Sequence, residues 1–511
     1  MSADSQHDYD AIIIGGGPNG LIASSYLARA GARVLLLERR IETGGGLNTD
    51  EYFGFRFNLH AVYHLMADVM PAYRDLDLSG YGLRYVTPPY GAAFLLPDNR
   101  SMLFSNDPAA TAEEIRKFSN TDAIRYVDMW NSFQPMLDQY LIPLTYELPM
   151  PPLEQLELME QDEAGQEMAR ISEMSFVDIL DDYGFENTHV RMALLSFPAM
   201  WGLDLHEPLG FLYPLYLCRM LNAALVKGGS HRMSSAIYRS LVHAGGVVRD
   251  ACPAASLIVE DGTVVGVRTA AGETFRAPLV ISTLNPEQTF INLLGEEYLD
   301  EALQSAISGW EWEQRSLFGL HLGIRGDFSY KSGDNRVDDA LVAFMGLSTE
   351  EDLHSHLAGV DSGELSGTDW IHVTVPTRFD STQASDGYQT VRIESVASYS
   401  SPWNEITPTY AESCLNLLHE YADLGEIVVQ RTCTPVDIEQ RLTTMKQGSI
   451  KHGAYTPLQL GYFRPNDLCS QIETPVPGLL VAGASVYPGG MILGGPGYLG
   501  AKVAMELLGI R

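Results

Sequence analysis

The sequence predicts an α/β protein in which a Rossmann-type dinucleotide-binding domain is interrupted by an inserted mixed α+β substrate domain. Three observations carry this. The run AIIIGGGPNGLIASSYLARAGARVLLLE, Ala11 to Glu38, reads as strand, glycine turn, helix, strand and terminal acid. A strand-like texture returns after residue 225, in CPAASLIVEDGTVVGVRTAAGETFRAPLVIST. The chain then closes on PGLLVAGASVYPGGMILGGPGYLGAKVAMELLG, a buried strand, a glycine-rich loop and an apolar helix.

The opening unit is the most informative. Gly15, Gly17 and Gly20 form GxGxxG directly after an apolar strand. The first glycine permits the tight turn, the second lets backbone approach a pyrophosphate, and the third lets helix pack on strand. The helix N-terminus adds positive dipole for the phosphates. Glu38, at the end of the second strand, can accept hydrogen bonds from an adenosine ribose, and its charge repels a 2′-phosphate. That favours FAD or NAD over NADP. Glycines alone would read equally as a turn, and it is their order with strand, helix and acid that decides.

The glycine triplet Gly44 to Gly46 follows, and residues 51–64 mix aromatics, aliphatics and histidines as a cofactor-lining segment would. From about 70 to 225 the texture is helical, with charged segments (108–119, 153–174) alternating with apolar ones (190–201, 209–226). GGSHRMSSAIYRSLVHAGGVV reads as a helix ended by Gly245 and Gly246, and turns are placed at Asp261-Gly262 and Ala271-Gly272. Residues 290–440 mix helices with alternating strands such as 316–324 and 370–376. The expected division is a discontinuous dinucleotide-binding domain over 1–70, 225–290 and 440–511, with the substrate domain over 71–224 and 291–439.

Composition narrows the function classes. The chain has 511 residues, 33 basic against 65 acidic, and a formal net charge of −32. So acidic a chain excludes nucleic-acid binding through a general basic surface. Five scattered cysteines show no CxxC and no histidine partner at metal-ligand spacing, so free thiols and no metal are expected. The polar N-terminus MSADSQHDYD fits no signal peptide. The most apolar stretch, Leu209 to Val226, is broken by Pro214, Arg219 and Asn222. The expectation is a cytoplasmic protein, with a local apolar patch still able to make peripheral membrane contact.

Four blocks together resemble the phytoene dehydrogenase-related flavoproteins, within the amine oxidase-like FAD superfamily. They are IIIGGGPNGLIASSYLARAGARVLLLERR with TGGGLNT, the segment KGGSHRMSSAIYRSLVHAGGVVRDACPAASLIVEDGTVVGV, GSIKHGAYTPLQLGYFRP, and the closing block. The resemblance spans nearly the whole length and implies a Rossmann-type FAD-binding domain. It places Gly15, Gly17 and Gly20 on the pyrophosphate, Glu38 on the ribose with Arg39 beside it, and Gly45 and Gly46 near the ribityl or pyrophosphate side. Ala254 falls where the family has an adenine-binding valine, and Gly483, Gly490 and Met491 fall where the closing loop meets the flavin. Ala484 stands where many of the broader superfamily carry an acid, as in the desaturase-like branch, and two positions depart from the desaturases: Asn58 replaces an aspartate and His60 a glycine.

The function expected is an FAD-dependent oxidoreductase, of dehydrogenase, desaturase or oxidase type, taking hydride from a C–H of an apolar, isoprenoid or acyl-like small molecule. The alternatives are a redox-neutral flavin-dependent isomerase or hydratase, an amine oxidase, and a non-enzymatic flavoprotein-like scaffold. No second GxGxxG follows a strand, so dioxygen or a quinone is the expected electron acceptor. His60, Tyr63 and His452 are the catalytic candidates, because a histidine beside a flavin can act as a base or bind a polar group. A structural histidine is the competing reading for each. His64 and Tyr455 sit in the same segments. Tyr462, Phe463 and Arg464 could line a substrate tunnel, with Arg464 meeting a carboxylate or sitting in a structural ion pair. The stretch from Phe197 to Met220 reads as a greasy pocket wall, a membrane-docking surface, or core.

Overall fold

A computed structural model describes residues 7–491 and 494–510. Most of the N-terminal MSADSQHDYD segment, together with Ile492 and Leu493 of the closing block, lies outside the described residues.

The opening unit folds as β1 (Ala11–Ile14), α1 (Pro18–Arg29) and β2 (Val34–Leu37). Every residue of both strands is buried, as a central parallel strand covered on both faces requires. The strands join a five-stranded parallel sheet in the order Val247–Arg249, β2, β1, Leu279–Ser282, Leu479–Val481. Three distant stretches of chain therefore build one sheet. The closing helix, Gly495–Leu507, packs on α1. A second GxGxxG, Gly495 to Gly500, lies inside that helix and serves this packing: a Cβ on Gly497 would sit 2.2 Å from the Asn19 carbonyl.

Ala254–Glu260, Thr263–Thr269 and Thr274–Arg276 form a small antiparallel sheet with turns at both predicted Gly positions. A seven-stranded sheet runs Ala422–Cys433, Arg315–Tyr330, Tyr388–Ser398, Ile371–Thr374, Ala340–Met345, Tyr90–Leu95, Ser101–Phe104. Only its Ala340–Met345 and Tyr90–Leu95 pair is parallel. Helices between 108 and 220 cover one side of it. Asp107, Ser119, Asp162, Ser175 and Asn187 start five of them by accepting backbone N–H bonds, each worth about 1 kcal/mol.

Phe197, Met200, Tyr213, Tyr216 and Met220 are almost fully buried in this helical layer. The membrane-docking reading of Phe197 to Met220 is therefore corrected: the stretch is core, because Phe197 interlocks with Phe94, Phe104 and Phe344, and Tyr213 with Phe133 and Phe176. Among the described residues no helix is long and apolar enough to cross a membrane. All five cysteines are buried and unpaired.

Candidate functional site

One cavity of about 460 Å³ runs between the parallel sheet and the seven-stranded sheet. Its lining includes Gly15, Gly17, Glu38, Arg39, Gly45, Gly46 and Ala254 toward one end, and His60, Tyr63, His452, Gly490 and Met491 toward the other. Gly20 and Gly483 stand behind this wall.

The first end is shaped by backbone. A Cβ on Gly20 would lie 1.9 Å from the Gly15 carbonyl oxygen, so only glycine lets α1 pack this close to the turn. A Cβ on Gly17 would meet no protein atom within 4 Å; that space belongs to the cavity. Glu38 is buried, and its carboxylate accepts the Gly16 N–H at 2.7 Å and the Arg40 N–H at 2.8 Å. It thus locks the glycine turn. A carboxylate offers about four lone-pair sites, so acceptor capacity remains for a ribose hydroxyl. The Cys252 N–H donates to the Glu38 carbonyl at 2.8 Å, which brings Pro253 and Ala254 to the rim.

The second end is set by three segments. Leu59 to Leu65 follows the hairpin Thr49–Tyr52/Phe55–Asn58 and runs along the wall. Opposite it, the strand Tyr388–Ser398 presents Arg392 and Glu394, both nearly inaccessible and paired with each other. Arg392 also donates to the carbonyl of Asn58 and, at 3.2 Å, to that of His60. His372 lies 3.3 Å from the Glu394 carboxylate. Burial would raise the Glu394 pKa, but Arg392 and His372 outweigh it and hold the carboxyl well below the usual range. The third segment, Ile450 to His452, packs against the Gly489–Met491 loop.

Burial pushes His60 down to about 3, with Arg392 adding to the effect. It also pushes His64 down to about 3 and His452 to about 4. All three rings are neutral at pH 7. Burial raises the Tyr63 phenol well above 10, followed by the charge of Glu394, so it remains a donor. A folded-state histidine pKa below the unfolded value means that the unfolded chain binds the proton more tightly. Stability from these rings is therefore full above about pH 6.5 and declines as pH falls toward 3 to 4, by up to about 1.4 kcal/mol per pH unit per ring. Denaturant titrations between pH 7.5 and 4.5 should show this loss. His64→Asn should flatten the slope.

Sequence reasoning passed over Arg392 and Glu394, although charges at i and i+2 in TVRIESVAS, on one face of an apolar strand, are an unusual pattern. It also passed over the buried Lys451–Glu313 pair behind the third segment. Arg464 is corrected. It lies outside the cavity and has no carboxylate partner among the described residues; it donates to the carbonyls of Lys451, His452, Gln459 and Ala484 and so clamps the loops behind the site. Tyr455 donates to the Gly490 carbonyl at 2.7 Å. With Tyr462 it borders a separate, smaller pocket.

A dinucleotide fits this cavity on two structural grounds. The space at Gly17 is free of protein atoms, and several buried polar atoms of lining residues have no protein partner among the described residues: His60 Nε2, Tyr63 Oη, Trp201 Nε1, Gln288 Oε1, Arg392 Nε and Arg441 Nε. Buried polar atoms are almost always satisfied, which points to a ligand here. Among the described residues no cluster of His, Cys, Asp or Glu could hold a metal.

Comparison with known proteins agrees. Residues 13–76 match the NAD(P)-binding Rossmann-like domain family. The chain is 38% identical over 524 residues to a limonene dehydrogenase polypeptide of Castellaniella defragrans, covering 98% of this chain and 95% of that protein. It is 24% identical to the neurosporene-forming phytoene desaturase of Cereibacter sphaeroides, over 98% of this chain and 94% of that one. Its fold resembles putrescine oxidase bound to putrescine, with a TM-score of 0.60 at 14% identity, covering 98% and 99% of the two chains. The chain belongs to the phytoene dehydrogenase-related family of FAD-dependent oxidoreductases, within the amine oxidase-like flavoprotein superfamily.

Proposed function

We propose that this enzyme is an FAD-dependent dehydrogenase that removes hydrogen from an apolar, terpene-like small molecule. The single observation that carries this is the chemistry of the cavity's second end. Leu65, Trp201, Leu317, Ile450 and Met491 make it apolar, and its charges, Arg392 and Glu394, neutralise each other. An ammonium or carboxylate substrate would find no free counter-charge there, which weighs against amine oxidation. The relative named as a limonene dehydrogenase supports a hydrocarbon substrate.

Gly15, Gly17, Gly45, Gly46, Glu38, Arg39 and Ala254 would hold the dinucleotide half of FAD, and Gly490 and Met491 would border its reactive ring, with Gly20 and Gly483 setting the packing behind them. Bound FAD supplies a two-electron acceptor for hydride. The chain supplies a dry pocket and a place for the accompanying proton. Once hydride has left an allylic carbon, the adjacent C–H is acidic enough for a weak base. The neutral rings of His60 and His452 meet that need, and the Tyr63 phenol, which has no protein partner among the described residues, can donate a hydrogen bond beside them.

His60→Ala should keep the flavin content of the parent and lower turnover by about a hundredfold, the lower range for loss of a general base. His452→Ala should show the same split. Loss of FAD with unchanged turnover per flavin would assign both rings to structure instead.

A further inference from the structure

Away from the cavity, a second cleft of about 280 Å³ is lined by Arg56, Arg84, Lys227, Arg232, Arg239 and Thr382. Five cations around one small concavity are out of character for a chain with about two acids per base. Many arginines elsewhere sit against carboxylates, as in Arg170–Glu167, Arg191–Glu350, Arg315–Asp361 and Arg336–Glu114. Here, among the described residues, the one ion pair is a loose contact of Arg56 with the exposed Glu51 at 3.6 Å. Arg84 and Arg239 donate only to backbone carbonyls. Lys227 and Arg232 have no side-chain hydrogen bond or ion pair among the described residues. The nearby buried Asp380 accepts from the Gly228 N–H, Thr382 and Gln383 and, among the described residues, makes no ion pair with any of the five cations.

Like charges held together repel, and a counter-charge entering between them lowers that cost. We infer that this cleft is a binding site for a small phosphate-bearing anion of the pyrophosphate class. The shape supports a small ligand over a flat protein surface. Gly82 (φ +93°) and Gly228 (φ +88°) leave bare backbone in the lining, and the cations converge on the concavity from separate segments. The helix His231–His243 begins beside Lys227 and Gly228, so its positive end adds to the field.

The cleft also backs onto the catalytic wall. Arg56 is four residues from His60, a span of at most about 14 Å of extended chain. Lys227 follows the strand Ala224–Val226, in which Leu225 pairs with Tyr63. The Asn58 amide, whose residue's carbonyl accepts from Arg392, donates to Gln383 beneath the cleft at 3.1 Å. An anion held here would rest on the backbone that positions His60 and Tyr63.

The test is isothermal titration of the FAD-loaded protein with inorganic pyrophosphate at low salt. The expected result is one site per chain, weakening as salt is added. Lys227→Gln/Arg232→Gln, two side chains with no structural partner, should weaken binding at least about tenfold, or roughly 1.4 kcal/mol, with flavin absorbance and Tm unchanged. No binding, equal binding by the double variant, or heat accompanied by FAD release would overturn the inference. So would co-sedimentation with phosphatidylglycerol vesicles in the absence of pyrophosphate binding, since that would make the cations a lipid-facing surface.

Discussion

Gly20→Ala yields a protein that purifies with about a tenth or less of the parent's FAD, a binding loss of roughly 1.4 kcal/mol or more. The added carbon would lie 1.9 Å from the Gly15 carbonyl oxygen and 3.4 Å from the Ile13 side chain. Both obstacles belong to β1, a fully buried strand, and its turn, and a backbone oxygen cannot rotate away as a side chain can. Relief requires α1 to move off the strand, and that displaces the helix N-terminus from the phosphates it serves. Thermal stability should fall with it. Gly17→Ala is the informative control, because its Cβ meets no protein atom. It should leave the Tm of the FAD-free protein unchanged and still weaken FAD binding. Flavin absorbance per chain after gel filtration, with Tm alongside, reads both variants. Full FAD occupancy in Gly20→Ala would contradict the packing argument.

Arg392→Ala carries the second large effect, a destabilisation of about 3–5 kcal/mol. Removing the guanidinium leaves the Glu394 carboxylate buried without its main counter-charge, and also orphans the carbonyls of Asn58 and His60. His372, 3.3 Å from the carboxylate, cannot replace the charge and the three hydrogen bonds that Arg392 supplies. Arg392→Met/Glu394→Leu should recover much of the loss, since an apolar pair of similar volume removes both charges together. Urea denaturation at pH 7 measures the cycle. A loss under about 1 kcal/mol for Arg392→Ala would show that water reaches Glu394 and that the pair is not desolvated.

The parts of the molecule that were legible in its sequence are those whose chemistry is local. Gly15, Gly17 and Gly20 announce a turn because backbone sterics act over a few residues, and Glu38 is placed by the length of a single β–α–β unit. His60 and His452 could be singled out, but not the groups that set their charge. Arg392 reaches the His60 carbonyl across 332 positions of chain, through a register between sheet and hairpin that no short pattern encodes. Arg464 shows the converse. A lone arginine in an aromatic segment reads as a ligand or an ion pair, and only the folded loops reveal a set of carbonyls around it. The Phe197 to Met220 stretch was equally silent, because burial in core and burial against a ligand or lipid select the same residues.

The central claim is that the cavity brings an apolar C–H to FAD for oxidation. The most direct measurement is the visible spectrum of the FAD-loaded protein, mixed anaerobically with a panel of terpene hydrocarbons, carotenoids and primary amines. The account predicts that the flavin band bleaches with an uncharged hydrocarbon and stays oxidised with the amines. Bleaching by an amine alone would contradict it, as would conversion of a hydrocarbon to an isomer with the flavin oxidised throughout.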